Sequence, residues 1–184
     1  MTRMQWKPAA LMPLAALGAA LAPTAPVYAA ARIYVSVEQA QRDLFGSQAL
    51  TAFPVALTPA QQDEVRAASS VAHPFQGNRI WKAADGGWFV VDEVVGKHEM
   101  ITYAVALDAQ GRVRRVEVLE YHESYGYEVA EPQWLHQFEG KDGAAPLKLG
   151  KDVENISGAT LSAKHLTDGV KRVLAVYGQV LRGR

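Results

Sequence analysis

A chain of 184 residues, 49% hydrophobic and 21% charged, has the make-up of one folded domain plus a targeting segment and excludes a mainly disordered state. Nineteen basic residues balance nineteen acidic ones, so the basic excess that marks a nucleic-acid binder is missing. Cysteine is absent, which excludes a disulfide framework, iron–sulfur ligation, thiol redox chemistry and c-type haem attachment.

Residues 1–29 have the three-part layout of a secretory leader. Arg3 and Lys7 give a positive start, Ala9 to Ala22 an apolar centre, and Val27-Tyr28-Ala29 a small-residue cleavage pattern. The alternative is an uncleaved anchor, but Pro8, Pro13, Pro23 and Pro26 punctuate a stretch that would need about 20 continuous apolar residues to span a bilayer. Export to the periplasm, or to the outer face of the membrane, with cleavage after Ala29 is the expectation.

Beyond the leader, Ile33 to Phe45 carries a moderate helical pattern that Gly46 stops. Thr58-Pro59-Ala60-Gln61 is a helix start, with Thr58 as cap, Pro59 in the first turn and Gln61 closing a capping box. That helix is expected to run to Ser69. From Arg79 the period becomes that of strands, over Arg79–Ala83, Trp88–Val95, Met100–Leu107 and Val113–Tyr121, with turns at Asp85-Gly86-Gly87 and Asp108 to Gly111. Arg112, Arg114 and Arg115 read as a solvated edge that discourages strand pairing. A loop, His122 to Glu128, follows, and Pro132 then opens a short helix through Trp134, Leu135 and Phe138. Apolar residues at 161, 166, 170, 173, 174, 177, 180 and 181 make one stripe of a long last helix. Lys171, Arg172 and Arg182 suit the negative end of its dipole. Helices, then about four antiparallel strands, then helices make an α+β fold.

Ser157-Gly158-Ala159-Thr160 stands immediately before that last helix. Small residues allow a tight turn and close approach of a ligand, and the free amides of a helix N-terminus attract an anion. Thr160 is placed either to meet a phosphate or to serve as a plain N-cap. The five histidines, His73, His98, His122, His136 and His165, never pair at metal-ligand spacing on one element, so no metal site is expected.

The run Glu154-Asn155-Ile156-Ser157-Gly158-Ala159-Thr160 resembles the FMN-binding domain family, which includes the flavin subunits of the sodium-pumping NADH:quinone reductase and of the Rnf complex. The resemblance spans about Glu99 to Tyr177. The family pattern is Asp, two residues, Ser or Thr, Gly, Ala, then Thr or Ser, and Glu154 stands where that pattern has Asp. The resemblance implies FMN held as a phosphoester on Thr160, framed by Ser157, Gly158 and Ala159, with Ser162 and Lys164 within reach of the phosphate. It further implies that the loop bearing Glu123, Ser124, Tyr125 and Gly126 lies over the flavin, with Tyr125 or Tyr127 stacking on the ring or standing at its rim. Trp134 is expected beneath that loop.

The chain is expected to divide into the leader at 1–29, an N-terminal extension at 30–96 and, by this resemblance, the FMN-binding domain at 97–184. A magnesium-requiring FAD:protein FMN transferase would install the cofactor, and a membrane redox protein would donate or accept electrons. No residue need act as acid or base, so no catalytic residue is assigned. The expectation is an electron carrier or subunit rather than a stand-alone enzyme. The alternatives are a flavin-binding sensory or assembly module, and a domain without flavin in which Thr160 only caps the helix.

Overall fold

The computed structural model describes residues 32–184, and the expected leader lies outside the described residues. The first helix, α1 (Val37–Phe45), is capped by Ser36, whose hydroxyl accepts the Gln39 amide, and ends at Gly46. It begins four residues later than its apolar pattern suggests, because Arg32–Ile33 form a short strand, β1. The capping box is present at α2 (Pro59–Ser69): Thr58 Oγ1 accepts the Gln61 amide at 3.3 Å and Gln61 Oε1 accepts the Thr58 amide at 2.9 Å. Thr58→Ala removes one half of that exchange and is expected to lower stability by about 1 kcal/mol in a urea titration.

The four expected strands form as β3 (Ile80–Ala83), β4 (Trp88–Val95), β5 (Met100–Leu107) and β6 (Val113–Tyr121). Two short strands join them at the edges, β1 and, between α1 and α2, β2 (Leu50–Ala52). The result is one antiparallel sheet of six strands in the order β1-β6-β5-β4-β3-β2. β4 and β5 are central, and β5 is buried along nearly its whole length. Of the three arginines expected at an open edge, Arg112 pairs with Asp108 at 3.0 Å, and Arg114 reaches Asp85 at 2.8 Å and lies over the Phe45 ring.

Alternation along the strands divides two cores. Phe89, Val91, Ala104, Ala106 and Leu119 pack under Ala40 and Phe45 of α1. On the other face Val90, Val94, Ile101, Val105, Val116 and Val118 meet Val65 of α2 and Ala163, Leu166, Val170, Val173 and Leu174 of the last helix. That helix, α4 (Thr160–Val176), continues through a π turn to Leu181. Between β6 and α4 lie two 3₁₀ turns and the single-turn helix α3 (Pro132–Leu135).

Arg172 departs from the sequence reading. It does not sit at the solvated end of α4 but is 1% exposed in the core. Its guanidinium lies 2.7 Å from Asp92 Oδ2 on β4 and donates to the carbonyls of His73 and Glu93. Tyr103 of β5 donates its hydroxyl to the same carboxylate oxygen at 2.7 Å. Burial, reinforced by the Asp92 charge, pushes the Tyr103 phenol well above its usual pKa, so it stays protonated and remains the donor.

Candidate functional site

Three chain segments meet at one end of the sheet: the turn between β4 and β5, the loop leaving β6 and the first turn of α4. They enclose an open cleft of about 890 Å³ lined by Lys97, His98 and Glu99, by His122 to Tyr125, and by Gly158 to Ser162. That volume lies within the range of about 300–1,000 Å³ typical of small-molecule and cofactor sites.

The floor is built from β6 and α4. Tyr121 ends β6 with its ring buried and donates its hydroxyl to the Tyr125 carbonyl at 2.5 Å. Ser162 Oγ lies 3.3 Å from the same phenol oxygen; since the phenol proton goes to the carbonyl, the serine donates. Burial raises the Tyr121 pKa, which keeps the phenol a donor. Gly126, at φ 82°, lets the loop turn down onto the start of α4; a Cβ there would meet Ala159 Cβ at 2.9 Å and Tyr121 Oη at 3.0 Å. Gly126→Ala combines a left-handed backbone with a collision, so it is expected to cost about 1–3 kcal/mol and to displace the loop, measured as a lowered Tm.

The anion end is the start of α4. Gly158, at φ 86°, turns the chain, and Ala159 occupies the N-cap position without a side-chain cap. Thr160 is therefore the first helical residue and not the cap. Its hydroxyl is exposed, and its one hydrogen-bond contact among the described residues is a long 3.5 Å approach to the Ile156 carbonyl. First-turn amides have no partner within their own helix, and here the residues that carry them, Thr160 to Ser162, line the cleft. Two large apolar side chains stand exposed at the same place, Tyr125 at 84% and Leu161 at 45%. Unpartnered apolar surface beside an anion site suits a ligand with a phosphate tail and a flat aromatic body.

The structure sorts the remaining expected residues. Glu123, Tyr125, Gly158, Ala159, Thr160 and Ser162 line the cleft, and Gly126 supports it from behind. Ser157, Glu154 and Lys164 do not line it. Lys164 lies one turn along α4, bound to Asp168 at 2.6 Å, and Asp168 also faces Lys171. Glu154 is held by its backbone: its amide donates to Gln137 Oε1 at 2.6 Å and its carbonyl accepts the Trp134 indole N–H at 2.9 Å. Trp134 is buried against Phe138 and so anchors the segment leading to Thr160. Of the two tyrosines, Tyr125 faces the cleft, while Tyr127 carries the Arg32 guanidinium over its ring at 4.8 Å.

Nothing in the sequence marks Lys97, His98 and Glu99 as a wall, and Leu161, one of the apolar stripe of the helix, also lines the cleft. The wall is joined to the rest of the site through Glu123, whose Oε1 accepts the amides of His98 and, at 2.9 Å, Glu99. Burial opposes ionisation of this carboxyl, but the amides of Glu99, His98 and Lys97 outweigh it and hold the pKa below the usual glutamate value.

Fold and cleft together define an α+β domain that offers a helix N-terminus, a free hydroxyl and an apolar platform to a phosphate-bearing aromatic cofactor. Residues 96–175 match the family model described as FMN-binding domain. In fold the chain is similar to the crystal structure of Shewanella oneidensis NqrC, with a TM-score of 0.50 and 18% sequence identity over 71% of this chain and 67% of that one. Among curated proteins no relative matches.

Proposed function

We propose that this chain is an extracytoplasmic flavoprotein that carries FMN as a phosphoester on Thr160 and relays electrons for a membrane-associated redox system. The observation that carries the reading is the exposed, barely engaged Thr160 hydroxyl on the uncapped first turn of α4, inside a cleft that also exposes Tyr125 and Leu161. Attachment by an FAD:protein FMN transferase joins the threonine oxygen to the flavin phosphate, breaks the FAD pyrophosphate and releases AMP. The helix amides and the α4 dipole would hold the phosphate, Tyr125 and Leu161 would offer their apolar surface to the ring, and Ser162 and Tyr121 hold the loop in place.

Bound FMN supplies one- and two-electron redox chemistry, while the protein contributes position and electrostatics. The layout of residues 1–29 supports export, and the fold likeness to NqrC fits a membrane redox partner. Expression with the transferase and an export-competent leader is expected to give a yellow protein whose intact mass reports both leader removal and one FMN. A colourless protein at the unmodified mass would sink the reading. Rapid electron exchange with a membrane redox protein, followed by stopped flow, separates a relay from a sensory or assembly module.

A further inference from the structure

A carboxylate in a cofactor cleft ordinarily offers its charge to the ligand. Glu123 is committed elsewhere. Its Oε1 takes the amides of His98 and Glu99, residues that precede it in the chain by 25 and 24 positions. The turn it grips is closed on itself by the Gly96 amide donating to the Glu99 carbonyl at 2.7 Å. His165, on α4, approaches the Gly96 carbonyl with Nδ1 at 2.6 Å; a carbonyl only accepts, so Nδ1 bears the proton. Gly96 leaves room for the Glu123 grip, since a Cβ there would stand 2.8 Å from Glu123 Oε1 and 3.1 Å from Ile101 Cδ1. The β4–β5 turn is thus clasped by the loop after β6 and by α4, which are the other two walls of the cleft.

We propose that Glu123 is a positioning residue: it clasps the Lys97–Glu99 turn through backbone amides and so sets the third wall of the flavin cleft, instead of contacting the flavin by its charge. The flavin half of this proposal rests on the functional reading above; the clasp itself does not.

The test has two arms. In the flavin-free protein, Glu123→Ala is expected to speed amide exchange at His98 and Glu99 about tenfold or more, the scale of hydrogen bonds to a charged acceptor. Glu123→Gln keeps an acceptor oxygen at the same reach and is expected to retain most of the protection. In the loaded protein, Glu123→Ala is expected to shift the visible bands, the flavin fluorescence and the midpoint potential. Glu123→Gln restores all three, and Gly96→Ala, which crowds the clasp while leaving Glu123 in place, reproduces the Glu123→Ala shifts. Unchanged exchange at His98 and Glu99 in Glu123→Ala would overturn the clasp. Equal spectral and potential shifts in Glu123→Ala and Glu123→Gln would show a charge acting directly on the flavin and overturn the positioning role. A wild-type chain that takes up no FMN overturns the flavin half together with the functional reading, while the exchange arm still decides the clasp.

Discussion

Thr160→Ala is expected to abolish covalent flavin entirely, read as loss of the FMN mass increment and of in-gel fluorescence after denaturation. Among the described residues, no other exposed hydroxyl stands on the first turn of α4. Ser162 is buried and engaged with Tyr121, and Ser157 does not line the cleft. The substitution should leave the fold intact, because Thr160 is exposed and its hydroxyl makes only the 3.5 Å approach to Ile156; surface changes of this kind stay within about 0.5 kcal/mol. Attachment and folding are therefore separable at this residue. Thr160→Ser keeps the nucleophilic oxygen and is expected to load. Retention of the FMN increment in Thr160→Ala would place the bond elsewhere.

Asp92→Leu is expected to have the largest effect on stability. It strands the Arg172 guanidinium in the core and deprives the Tyr103 hydroxyl of its acceptor. Breaking a buried pair from one side costs about 3–5 kcal/mol, which in a domain of this size lowers Tm by roughly 10 °C. The double change Asp92→Leu with Arg172→Met replaces charge by apolar volume and should recover much of the loss, since such swaps are often neutral or stabilising. Circular-dichroism melts of the three variants decide it. A single variant that melts like the wild type would show that Arg172 finds solvent or another acceptor.

Local patterns made most of the scaffold readable. Alternation and turn residues located β3 to β6, the Thr58 capping box located α2, and the apolar stripe located α4. β1 and β2 were hidden because strands of two and three residues carry no period; they exist through pairing with β6 and β3. Arg172 looked like a dipole partner, since nothing local reveals an aspartate 80 positions away. In the cleft, the Ser-Gly-Ala-Thr turn and the loop at Glu123 to Gly126 were visible as motifs. The wall at Lys97 to Glu99 was not, because its place depends on tertiary contacts through backbone amides. Lys164 pairs with Asp168 one turn on, a partner four positions away that the sequence displays.

The last helix is supported at three separated points. Ser162 is tied to Tyr121 at its start, Arg172 to Asp92 in its middle, and the Tyr177 hydroxyl donates to the Ala109 carbonyl at 2.9 Å beyond its end. A rod fixed at three stations neither slides nor tilts without releasing at least two of them. Loading of a cofactor at Thr160 would then leave the axis of α4 where it is, and accommodation would fall to the exposed side chains of Tyr125 and Leu161.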